Sequence, residues 1–316
     1  MSRVIEVTNI LSCKVNEANL HSYFIDFDID ENGDINQLLE KFVQLLTEEI
    51  PSFALGYHQG VTIPQENILR ILIDAANSIY KIDAYEKAAE TYLNDDHFDD
   101  DIPDKYLKRG EFGELILHFI LKYVFHTTPL VAKIYFKDSY GHAVHGFDSV
   151  HINSEENTLW LGESKIYTDG RRGIDALIED LHEHFNGNYL ESEFNIISKR
   201  IKDTEVNLEE AGLSPNHWIS LLNTYTKLGD KLDNIVIPMF CAFESNVFSK
   251  YSNDSEFEQV YTDEITRLNQ RFLTKKINHP WNDHLNIIVI LVPLESKKKL
   301  IRMLHHKLKQ LQSLGG

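Results

Sequence analysis

An α/β fold is predicted, with short strands alternating with helices around a mixed sheet, and three observations carry the expectation. Ile235 to Phe243 and Leu285 to Leu294 are near-continuous apolar runs, as strands covered on both faces require. Helical periodicity fills the stretches beside them, Phe257 to Lys276 and Lys297 to Leu314. Upstream, a helix that is apolar around most of its circumference, Arg109 to Phe125, leads into three strand-like segments at Leu130 to Phe136, Gly146 to Ile152 and Leu159 to Ile166. Strand, helix, strand in succession argues for parallel crossovers that extend one central sheet.

The remaining elements follow the same rules. Tyr23 to Asp30 alternates apolar and acidic residues, as a half-buried strand does, and Ile35 to Ile50 has helical periodicity that Pro51 is expected to close. Further helices are expected from about Gln65 to Ile82, Ala84 to Leu93, Ile174 to Phe185, Asn188 to Lys202 and His217 to Leu228. Three regions result: an accessory N-terminal α+β region over 1–104, a core over 105–245 with a helical insertion at about 186–233, and a C-terminal extension of the core sheet over 246–316 ending in a basic helix. The acidic run Asn94 to Asp101 is expected to be a solvated linker.

Composition narrows the function classes. The chain has 316 residues and 42% hydrophobic content, enough for a substantial core. No apolar run approaches the ~20 residues a membrane-spanning helix needs, and the N-terminus carries no charged-then-apolar signal pattern, so a cytoplasmic protein with no membrane partner is expected. Cys13 and Cys241 are far apart and lack metal-ligand spacing, which argues against a disulfide framework or a zinc site. A net charge of −18 works against a protein that holds nucleic acid by its own electrostatics. No Ser-His-Asp order, Walker loop or dinucleotide fingerprint is present.

One constellation has a clear chemical use. Side chains alternate along a strand, so Glu163 and Lys165 share a face, and Asp148 joins them if the preceding strand pairs as a hairpin. Two carboxylates converging on one point suit a hard divalent cation, Mg2+ or its substitute Mn2+, and a neighbouring lysine can position or activate water. The same-face neighbours Leu159 and Leu161 are apolar, so Glu163 and Lys165 begin on a core face, where charge is rare without cause. Read blandly, they are a solvent-facing ion pair contributing at most ~1 kcal/mol, and Asp148 is a turn residue beside Gly146.

Other polar residues carry weaker signals. Glu111, Glu114 and His118 stack on one face of the apolar helix and need a partner, for which a metal-bound water network is a candidate. His142 and His145 are expected at a strand entrance. His182 and His184 do not share a helix face and are expected at the surface. Arg171 and Arg172 open a helix and fit either DNA-backbone contacts or an ordinary loop. Lys297, Lys298, Lys299, Arg302, Lys307 and Lys309 make the last helix basic, a solvated face or a contact for DNA or a partner.

Helix, three strands, helix, strand, with acid on the first helix, Asp148 on the second strand and Glu163-Ser-Lys165 on the third, resembles the restriction-endonuclease-like PD-(D/E)xK nucleases. Phe147 stands where that motif has proline. More specifically, Gly110-Glu-Phe-Gly-Glu, His145-Gly-Phe-Asp and Leu161-Gly-Glu-Ser-Lys resemble HamA, the nuclease family of the bacterial Hachiman anti-phage system, over roughly residues 105–245. The resemblance implies that Asp148 and Glu163 ligate Mg2+, that Lys165 orients or deprotonates the attacking water, and that Glu114 sits at the metal's outer shell, with Glu111 in its place if the helix is rotated. It also implies DNA as substrate and a superfamily-two helicase, HamB, as the partner that restrains the nuclease and delivers DNA to an acidic protein. A metal-dependent deoxyribonuclease is therefore expected. The alternatives are a catalytically silent nuclease-fold scaffold that regulates a helicase or DNA end, and a hydrolase directed at RNA.

Overall fold

In a computed structural model, residues 3–55, 67–82, 107, 109–132, 146–203, 214–249 and 254–315 are described. The strands are β1 (Leu11–Glu17), β2 (Leu20–Ile25), β3 (Phe27–Ile29), β4 (Ile35–Gln37), β5 (Thr128–Ala132), β6 (Ser149–Asn153), β7 (Thr158–Tyr167), β8 (Ile235–Glu244) and β9 (Asn286–Leu294). The helices are α1 (Arg3–Thr8), α2 (Leu39–Leu55), α3 (Ile68–Ile79), α4 (Glu111–Tyr123), α5 (Gly170–His184), α6 (Gly187–Asp203), α7 (Pro215–Leu221), α8 (Leu228–Leu232), α9 (Asp254–Lys276) and α10 (Lys297–Ser313). The expected helix at 84–93 and the acidic run at 94–101 lie outside the described residues.

The α/β expectation holds. Seven strands form one mixed sheet in the order β1-β2-β9-β8-β7-β6-β5. β5, β6 and β7 make an antiparallel meander, and β7, β8, β9 and β2 run parallel. The long connections after β7 and β8 carry α5 and α9, as parallel neighbours demand. Sequence patterning set the N-terminal strands apart as an accessory layer, whereas β2 pairs with β9 at Leu20↔Val289 and so completes the central sheet.

Alternation along the strands sorts the core into two layers. Trp160 and Ile166 of β7, Phe240 and Ala242 of β8, and Ile290 and Val292 of β9 pack with α2, α3, α4 and α10. Leu159 and Leu161, Met239, Cys241 and Phe243, and Val289 and Leu291 pack with α5, α6, α7 and α9. Glu163 and Lys165 have the parity of Leu159 and Leu161, which turns them toward the α5 layer, while α4 covers the opposite face.

Two N-terminal expectations fail for local reasons. Ile35 to Gln37 is a strand instead of a helix start, because the Asp30 carboxylate accepts the backbone N–H groups of Asn32 and Asp34 and Gly33, at φ +86°, reverses the chain. Pro51 lies inside α2 and does not end it. An interior proline costs about 3 kcal/mol or more in a helix, and burial of Phe53 and Ala54 in the same turn works against that cost. The helix expected over His217 to Leu228 divides into α7 and α8, where the Asn223 side chain accepts the Tyr225 N–H and forms a turn.

A buried polar network fastens α2 to α4. Glu49 receives hydrogen bonds from Lys122 at 2.8 Å and from the Tyr123 hydroxyl, and His118 Nδ1 meets His151 Nε2 at 3.2 Å. Burial alone would raise the Glu49 carboxyl, but His118 and Lys122 outweigh it and bring it down to about 2. Burial drives both histidines downward, toward neutral imidazole, which leaves Lys122 as the compensating cation. His118 therefore serves the sheet's α2 side and does not act with Glu111, whose carboxylate pairs with Arg109 at 2.6 Å.

α5 lies unusually close to the sheet. A Cβ at Gly173 would stand 2.4 Å from Cys241 Sγ, in the middle of β8 where Cys241 is fully buried. Gly173→Ala is expected to destabilise the protein by about 1–3 kcal/mol, measured as a lower denaturation midpoint with an unchanged slope.

Candidate active site

The β6–β7 hairpin brings the three sequence-derived residues to one edge of the two strands. Its register, Ser149↔Gly162 and Val150↔Leu161, sets Asp148 level with Glu163 when carried one step further. Asp148 Oδ2 accepts hydrogen bonds from the backbone N–H of Ser164 at 2.9 Å and from its hydroxyl at 2.8 Å, which pins the carboxylate to β7. Glu163 is 1% exposed and Asp148 6%, so neither belongs to a solvated surface pair.

α5 runs back over β7 and reaches the other two side chains. Asp169 caps its first turn by accepting the Arg171 N–H, and Asp175 ties it to Arg271 and Lys275 of α9. Hydrogen bonding to Arg271, with help from Lys275, pulls the Asp175 carboxyl down to about 2. From this anchored helix Asp180 Oδ2 meets Lys165 Nζ at 2.5 Å, and His184 Nδ1 lies 2.6 Å from Glu163 Oε1. His184 stacks on Tyr189, with centroids 4.5 Å apart, and Phe147 stands edge-on to both rings.

Charge state follows from these neighbours. Burial would lower the Lys165 ammonium, but Asp180, with Asp148 and Glu163 beyond it, outweighs burial and raises it above the ordinary lysine value. Lys165 is therefore a fixed cation, better suited to stabilising negative charge than to taking a proton from water. Burial lowers His184 despite the nearby carboxylates of Asp180 and Asp148, favouring a neutral ring that donates its Nδ1–H to Glu163. Behind His184, on α6, Glu193 is 3% exposed and its Oε2 has no hydrogen-bond partner. Burial pushes its carboxyl up to about 7, with His184 opposing the rise.

Other candidates fall elsewhere. Glu114 is buried in the first turn of α4, on the opposite side of the sheet from Glu163 and Lys165. That turn packs against the residue that holds Asp148, since a Cβ at Gly113 would lie 3.3 Å from Ser164 Oγ. Arg171 and Arg172 sit at the start of α5, about 13 Å along the helix from Asp180 at ~1.5 Å per residue. Arg171 is engaged by Asp169 and Arg172 is exposed. Lys297, at the start of α10, reaches the Ile166 carbonyl at 2.9 Å and so borders the end of β7. His142 and His145 lie outside the described residues.

Sequence patterning placed His184 at the surface, and the structure corrects this: a short hydrogen bond commits it to Glu163. Comparison with His182, two residues away and on another face, hid the informative spacing, which is Asp180 to His184 at i, i+4. Asp180, Tyr189 and Glu193 carried no signal that separates them from solvated helix positions. The donor set around Asp148 and Glu163 consists of hard carboxylate oxygens, as Mg2+ or Mn2+ requires. Among the described residues, no group of three or more His, Cys, Asp or Glu side chains is already gathered tightly enough to hold a metal ion.

The family model for HamA matches residues 3–308. The chain belongs to the HamA family. Membership is consistent with a component of the Hachiman anti-phage system, and the match covers the N-terminal hairpin and most of the last helix as well as the hairpin that holds Asp148 and Glu163. No curated protein matches the chain. Among the described residues no helix is long and apolar enough to cross a membrane.

Glu193 gives a pH test of the site's interior. A carboxyl whose folded value is raised favours the fold below its unfolded value and loses that contribution as pH rises through the folded one, here from about 4.5 to about 7. Glu193→Gln is expected to stabilise the protein by of order 1–2 kcal/mol at pH 8 and by little at pH 4.5, measured as unfolding midpoints across that range.

Proposed function

We propose that the chain is a metal-dependent deoxyribonuclease, the effector subunit of an anti-phage complex whose partner helicase delivers DNA to it. The observation that carries this reading is the hairpin register that sets Asp148 opposite Glu163, with both carboxylates acting on the Lys165 ammonium and with Glu163 and Lys165 on a core-facing side. The succession α4, β5-β6-β7, α5, β8, in which an antiparallel meander continues into a parallel strand, supports a restriction-endonuclease-like core. HamA membership supports the defence role and the helicase partner.

Asp148 and Glu163 would hold the cation, Mg2+ or Mn2+. Such an ion, when bound, lowers the pKa of water and polarises the scissile phosphate. Ser164 fixes Asp148 from behind through its N–H and hydroxyl, so this ligand does not have to be ordered when the cation arrives. Lys165, kept protonated by its acidic neighbours, offsets the charge that grows on the phosphate oxygens as the new bond forms. The buried setting strengthens that attraction relative to water.

A net charge of −18 makes unaided capture of DNA unfavourable, which fits a substrate presented by a motor protein. The decisive assay incubates the purified chain with plasmid DNA and with labelled RNA, in Mg2+ or EDTA, with and without the helicase. EDTA-sensitive DNA cutting supports the enzyme, DNA binding without cutting selects the silent scaffold, and cutting of RNA alone selects the RNA-directed hydrolase. Glu163→Gln and Lys165→Ala are each expected to lower the cutting rate by at least ~100-fold while leaving the protein folded by circular dichroism.

A further inference from the structure

We propose that Asp180 and His184 are the positioning residues of this site, Asp180 setting the Lys165 ammonium and His184 setting the Glu163 carboxylate; the proposal rests on the nuclease reading. The two lie one turn apart on α5, on the stripe that Gly173, Leu177 and Leu181 press against the sheet. β7 and α5 run in opposite directions there. Gly173 therefore meets the strand at Tyr167, Asp180 meets it at Lys165, and His184 meets it at Glu163. Both residues of the Glu-x-Lys motif thus find a dedicated partner on a single rigid helix.

Stability alone does not account for the arrangement. Replacing buried polar pairs with packed apolar side chains is often neutral or stabilising, and the rest of this stripe is apolar. What the polar pairs add is direction. His184, held by its stack on Tyr189 and by Phe147, takes Glu163 Oε1 and thereby fixes the plane of the carboxylate, as hydrogen bonds to ligating carboxylates do. Asp180, through a 2.5 Å contact, keeps a flexible four-carbon side chain from sampling other rotamers. α5 itself is immobilised at Asp175 by Arg271 and Lys275, so the register between the two contacts is set by the helix backbone.

The roles separate experimentally. Binding of Mn2+ to the full chain, followed by loss of the free-ion electron paramagnetic resonance signal, reports the Glu163 side of the site. Single-turnover cleavage at saturating Mn2+ reports the Lys165 side. His184→Ala is expected to weaken Mn2+ binding about 10-fold, and His184→Asn, which keeps an N–H donor, to recover most of it. Asp180→Asn is expected to leave Mn2+ affinity and KM unchanged and to lower the single-turnover rate about 10-fold or more. His182→Ala, on the same helix but facing His279, serves as the control and changes neither. Wild-type Mn2+ affinity in His184→Ala, or a wild-type rate in Asp180→Asn, overturns the proposal while the nuclease reading stands. A wild-type chain that neither binds Mn2+ nor cuts DNA overturns both.

Discussion

Placing a carboxylate and an ammonium on the core-facing side of a central strand is the constraint to which the rest of this structure answers. Glu163 and Lys165 follow Leu159 and Leu161 on one face of β7, where an uncompensated charge costs several kcal/mol. The compensation comes from three directions. Asp148 arrives from β6 through the antiparallel register, Asp180 and His184 arrive from α5, and the aromatic rings of Phe147 and Tyr189 close the side nearest α6. Gly173 permits this by letting α5 settle onto β8 with no side chain between them.

The opposite face of the sheet solves a similar problem with a different network. Glu49, His118, His151 and Thr127 are buried together beside the half-buried Lys122, and one carboxylate with one ammonium carries the charge while burial favours neutral imidazoles. That network joins α2 to α4 and β6. Together with the β2–β9 pairing, it makes the N-terminal region part of the same folding unit as the hairpin bearing Asp148 and Glu163. The matched span of the HamA family, 3–308, agrees with such continuity.

Much of the fold was legible because strong periodicity survives tertiary context. β7, β8, β9, α5, α6, α9 and α10 fall within a few residues of their expected positions, since each is either apolar throughout or amphipathic over several turns. Errors arose where local hydrogen bonding or burial overrode pattern: the Asp30–Gly33 turn made a strand of Ile35 to Gln37, and Pro51 was carried inside α2 by the burial of Phe53 and Ala54. For the candidate site, period-two alternation identified Glu163 and Lys165, and hairpin pairing added Asp148. Asp180 and His184 stayed hidden because their partners are 15 and 21 positions away in sequence, and only the packing direction of α5 on β7 brings them together.

The central claim concerns where a divalent cation sits. A crystal structure of the full chain soaked in Mn2+, with anomalous differences measured at the manganese edge, tests it most directly. The account predicts one strong peak between the Asp148 and Glu163 carboxylates, with His184 still on Glu163 and Asp180 still on Lys165. A structure that binds Mn2+ only at other carboxylates, or in which Asp148 and Glu163 point apart, would contradict it.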